Sequence, residues 1–162
     1  MRLEAGNHIF ERNRRISVNE LSVENLEKKL GARLLNECYL AAKAALRRSE
    51  ESIKKLERIQ EEIIKIEDIE FYLQRNREFH FTIYNEAGAS VIVDIIRPLW
   101  ERVYLYLHLL FRKDPTWNDR KWIRNHQQML EGMKKKFAKQ VSKWVKRDLT
   151  IAAQTVIHML KV

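Results

Sequence analysis

Glycine and proline are scarce in this chain, four and two among 162 residues. Those two residues make most tight turns, so the chain should have few turns and long regular elements. A single cysteine, Cys38, excludes an internal disulfide framework and fits a reducing compartment. No apolar run approaches the roughly 20 residues that span a bilayer. The opening MRLEAGNHIFERNRR has no apolar signal core. No membrane partner is expected, and the cytoplasm is the expected compartment. A Gly-rich phosphate loop, CxxC, HExxH and GxSxG are all missing. Paired acids such as Glu61 and Glu62 fall on an expected exposed face. Cys38 sits on an apolar helix face, as a core residue does. These absences leave an enzyme little to work with, and none is expected.

What remains is rich in Leu, Ile, Lys, Glu and Arg, with 45% apolar and 33% charged residues, the make-up of one all-α domain. The net charge of +9 is uneven: +4 over residues 1–60, −4 over 61–111 and +9 over 112–162. The basic last third reads as a solvated lysine-rich face, since no interleaved aromatics or groove-reading motif accompany it. A contact with nucleic acid or an anionic ligand is the alternative.

Residues 1–17 read as irregular, with a short basic cluster at 12–15. From Val18 the apolar spacing is helical. Ser22 caps a first helix reaching about Arg48, with Leu26, Leu30, Leu34, Cys38, Ala41 and Ala45 inward. Ser49 followed by two acids starts a second, carrying Ile53, Leu56, Ile59, Ile63 and Ile64. The third spans 66–88 and ends at Gly88, where a left-handed cap is wanted. The fourth, from Ala89, is apolar almost all round and so central, with Pro98 predicting a kink. Residues 112–116 form a loop. A fifth helix covers about 117–136, and a sixth about 138–161 with Val141, Val145, Leu149, Val156 and Leu160 inward. The fold expected is an all-α antiparallel bundle of about six helices over 18–162.

On the third helix Asn76 and His80 lie four apart on one face, beside the apolar stripe. A polar pair facing a core needs a partner or a ligand. His80, His126 and His158 each lie near an inward face of a different helix, which is how bundle metal sites are built; scattered core histidines are the competing reading. His108 reads as a hydrogen-bonded core residue.

The run NREFHFTIYNEAGASVIVDIIRPLWERV resembles the middle of the FCD domain, the effector-binding domain of FadR-type GntR transcription regulators. The family's D-x-x-F-H-like helix corresponds to the segment from Asn76 to His80. Its following turn corresponds to Ala87-Gly88-Ala89-Ser90, and its later His-containing stretch to the segment from His126 to Met133. The resemblance covers roughly residues 20–160. It implies a divalent ion (zinc, nickel, manganese or iron) held inside the bundle by an Asp and three His. Carried over by position, these become Asn76, His80, His126 and a fourth residue. Ungapped counting puts the fourth at Asp148; His158 serves only if the chain carries an insertion. The resemblance also implies a small carboxylate effector, for which Arg102 and Arg124 are the candidate cations. It implies a homodimer, with DNA read only through a winged-helix domain for which residues 1–17 are too short; GNHIF resembles the end of such a wing. A metal-dependent bundle enzyme and a metal-free helical interaction module are the competing functions.

Overall fold

The computed structural model describes residues 4–5, 8–9, 22–113 and 120–161. Six helices follow in order: α1 (Val23–Arg47), α2 (Glu50–Lys65), α3 (Ile69–Asn85), α4 (Ser90–Lys113), α5 (Arg120–Lys134) and α6 (Ala138–Lys161). The expected all-α bundle is the fold. The basic cluster at 12–15 and residues 114–116 of the expected loop lie outside the described residues. Arg112 and Lys113, also placed in that loop, belong instead to the end of α4. Within the segment expected to be irregular, β1 (Glu4–Ala5) pairs antiparallel with β2 (His8–Ile9), Glu4 opposite Ile9 and Ala5 opposite His8. Runs of two residues are too short to show alternation. The Gly-Asn dipeptide between them is the available hairpin signal.

The helix starts have local causes. Ser22, Ser49 and Asp68 accept from the backbone N–H of Asn25, Ser52 and Phe71, each satisfying one donor that the first turn orphans. Gly88 after α3 has φ +60°, and a side chain there would meet the Arg47 guanidinium. α4 continues through Pro98, which forfeits the backbone bond to Asp94.

α1 packs along α6, α5 closes onto α6, and α2 pairs with α3; α4 contacts α1 and α3. Leu40, Leu56, Ile63, Leu73, Phe79, Ile96, Met129 and Met133 fill the interior. Two residues expected inside, Ile64 and Leu160, are exposed. Ile64 follows Ile63, which takes the centre of the α2 stripe, and one residue turns 100° away. Leu160 stands in the last turn of α6. Conversely, Arg33 and Glu37 of α1 are buried as a pair among apolar residues.

Candidate metal and effector site

α3, α5 and α6 each deliver one polar side chain to a common point in the core. His80 comes from α3, His126 from α5 and Asp148 from α6. One potential ligand atom from each lies within 4.8 Å of the other two, and all three residues are buried. An ion with N and O bonds near 2.1 Å keeps its ligand atoms about 3 to 4.3 Å apart. A slight closure of the observed cluster reaches that range.

Helical register explains the convergence. On α3 the buried positions Leu73, Asn76, His80 and Tyr84 recur at three and four residues. On α6 the same rhythm runs Val141, Val145, Asp148 and Leu149. The polar groups therefore occupy positions where an apolar residue would complete a core stripe. Burying them carries a desolvation cost that partners must offset.

His80 has such partners. Its Nδ1 lies 3.0 Å from the Tyr84 hydroxyl, and its Nε2 lies 3.2 Å from Asp148 Oδ2. That second approach lacks hydrogen-bond alignment, so it is a close contact rather than a bond. Asp148 Oδ1 accepts from Asn125 Nδ2 at 2.9 Å. Burial alone would raise the Asp148 pKa. His80 chiefly, with His126 and the Asn125 amide, reverses this and holds it below the usual value.

His126 differs. Its ring stacks on Phe79 at 4.4 Å between centroids, yet both ring nitrogens are buried without a hydrogen-bond partner. Burial pulls its pKa down to about 4, against a smaller upward pull from Asp148. The imidazole is therefore neutral at pH 7 and keeps a lone pair on one nitrogen. A wholly unsatisfied buried ring in a native core calls for an ion or a water. Two imidazoles and a carboxylate form a donor set of the kind that zinc, nickel, manganese and iron(II) accept.

Asn76 is buried one turn before His80. It lines a cavity of about 20 Å³ together with Asp148, Arg33, Tyr72, Trp100 and Trp122. That space holds about one water-sized occupant. Arg33 and Leu107 also line a second, neighbouring cavity. The cation at this site is thus Arg33, which the sequence reading passed over. Its signal was available: an Arg and a Glu four apart, interleaved with the inward positions of α1.

Arg102, Arg124 and His158 are not brought to the cluster; all three are exposed. The reason is angular. Arg102 is two residues beyond buried Trp100, and Arg124 two before buried His126, so each points about 200° away from its buried neighbour. His158 stands ten residues beyond Asp148, roughly 15 Å along the axis. Asp148, not His158, accompanies the two histidines. Sequence reasoning also missed Glu37, Tyr84, Trp100 and Asn125, which contact the site directly or through one another.

No curated protein and no solved structure matches the chain. A family model, the FCD domain, matches residues 30–150. That span contains Arg33, Asn76, His80, His126 and Asp148 and stops short of His158. FCD domains are regulatory ligand-binding domains of GntR-type regulators rather than catalytic ones. With the match covering well over half of its length, the chain belongs to the FCD domain family.

Proposed function

We propose that this domain senses a small carboxylic acid with the help of a divalent ion. His80, His126 and Asp148 would hold the ion, with Asn76 as a further oxygen donor. The observation that carries this reading is His126, a buried neutral imidazole with both nitrogens unpartnered beside a carboxylate and a second imidazole. When bound, the ion supplies a positive centre for an effector carboxylate. Arg33, buried and lining the same cavity, would supply the second cation. It takes the role expected of Arg102 and Arg124.

The cavity's size supports sensing over passive storage. A space of about 20 Å³ is tight for even a small carboxylate. Those walls belong to α1, α3, α4, α5 and α6, so an effector bound there would press on five helices at once. Only a ligand with different affinity for the two arrangements can move their balance. In the full regulator this would act on a winged-helix DNA-binding domain. Homodimerisation would use the exposed apolar stripe of α1, where Leu35, Tyr39 and Leu46 face away from the core with 79%, 50% and 60% of their surface exposed.

The test is thermal denaturation of chelator-stripped protein with zinc or nickel added, then with acetate, lactate or citrate. A ligand at 100 times its dissociation constant adds about 2.7 kcal/mol. Metal should stabilise alone, and carboxylate should stabilise further only in its presence. Absence of a metal effect would sink the metal-assisted reading. Loss of the carboxylate effect in Arg33→Met, with metal binding retained, would support Arg33 as the cation.

A further inference from the structure

Glu37 sits at the centre of the bundle and is fully buried. Its Oε1 accepts from Arg33 Nε at 2.5 Å. Its Oε2 accepts from Arg33 Nη2 at 3.2 Å, the Tyr84 hydroxyl at 2.7 Å and Trp100 Nε1 at 3.0 Å. All of these partners are donors, so both oxygens serve as acceptors. Tyr84 has one hydroxyl proton, and Glu37 receives it. The Tyr84 oxygen can then offer His80 only a lone pair. The 3.0 Å contact between them requires the proton to lie on His80 Nδ1. The other nitrogen, Nε2, is the one that faces Asp148.

We infer that Glu37, acting through Tyr84, keeps a proton on His80 Nδ1 and so leaves the lone pair of Nε2, the nitrogen facing Asp148, for an incoming cation. Glu37 is a positioning residue, since it touches neither the ion's position nor an effector. Second-shell hydrogen bonds of this kind fix a ligand histidine's tautomer and orientation. Here the relay crosses three helices, from α1 through α3 to the carboxylate on α6. Trp100 steadies it from α4: its ring lies 4.4 Å from the Arg33 guanidinium carbon and 5.1 Å from the His80 ring. Glu37 thereby joins the proposed effector cation, Arg33, to the proposed metal ligand, His80. The inference about metal rests on the function proposed above; the proton assignment does not.

The test uses metal-free protein with ¹⁵N-labelled histidine, read by long-range proton–nitrogen correlation at roughly pH 8 and again after zinc is added. In the wild type, His80 should show a protonated Nδ1 in both states. Tyr84→Phe keeps the ring but removes the oxygen, and Glu37→Gln puts a donor among donors. Both should lose the fixed Nδ1 proton, and zinc affinity should fall about 10- to 100-fold. Tyr84→Phe keeps the test decisive if Glu37→Gln fails to fold. A wild-type His80 protonated at Nε2 alone would overturn the inference, as would variants that leave both tautomer and affinity unchanged. A wild type that binds no zinc but carries the Nδ1 proton, lost in Tyr84→Phe, would sink the metal reading and uphold the relay.

Discussion

Two histidine–carboxylate pairs stand on opposite terms with their surroundings. His80 and Asp148 meet in the core with His126 beside them. His108 and Glu70 meet at the half-exposed edge between α4 and α3. At the edge both carboxylate oxygens are bonded: His108 Nε2 bonds Glu70 Oε1, and the Tyr104 hydroxyl donates to Glu70 Oε2 at 2.7 Å. In the core the approach is close but misaligned, and the neighbouring imidazole has no partner. The chemistry of the side chains is the same. What separates a clamp from a site is unsatisfied polar capacity under burial, because only a buried group lacks water to complete it.

That contrast can be broken at several strengths. The largest effect should come from Glu37→Ala, which strands the Arg33 guanidinium in the core. Breaking a buried pair by removing one partner costs about 3 to 5 kcal/mol, measurable as a lowered denaturation midpoint. An unchanged midpoint would mean that water reaches Arg33 and the relay is not dry. Next comes acid. Burial pulls the His126 pKa down to about 4 from the 6.5 of a free imidazole, so the unfolded chain binds the extra proton first. In metal-free protein its contribution is present above pH 6.5 and lost as pH falls towards 4. The loss amounts to no more than about 3 kcal/mol. A His126→Phe variant should flatten the stability–pH curve over that window; the same slope in both proteins would refute the assignment. Metal gives a similar magnitude: zinc at 100 times its dissociation constant should stabilise the wild type by about 2.7 kcal/mol. Asp148→Asn should lose most of that gain while His158→Ala keeps it.

How legible the site was depended on helical spacing. The bundle followed from apolar periodicity and the caps at Ser22 and Ser49. The α3 site residues stood out because Asn76 and His80 share one face. Asp148 was reachable by counting from His126 along the family pattern. Arg33 and Glu37 were not found, because a charged pair four apart on a helix reads by default as a solvated surface bridge. Only tertiary packing, with Trp100 and Tyr84 arriving from other helices, shows that the pair is buried. Arg102 and Arg124 lie away from the cluster for the converse reason. Their sign and chemistry suited a carboxylate, but a two-residue offset from a buried neighbour turned each to solvent. His108 was expected as a hydrogen-bonded core residue; it is hydrogen-bonded, but at the edge of the bundle rather than within the core.

The edge pair sets the lower end of the comparison, and its prediction is the most exacting because the effect is small. His108→Ala removes one bond to Glu70 and leaves Tyr104 donating to the same carboxylate. Burial works to raise the Glu70 pKa, but hydrogen bonds from Tyr104 and His108 outweigh it and hold the carboxyl below its usual value. Glu70 is exposed, so solvent and salt screen that advantage. The variant should lose less than about 1 kcal/mol at low ionic strength, and less still at high salt. Its zinc-induced thermal shift should match the wild type's, since no site residue depends on α4 through His108. If removing His108 instead weakened zinc binding, the two pairs would be energetically joined. Unsatisfied burial would then not be what distinguishes them, and the line drawn here between clamp and site would fail.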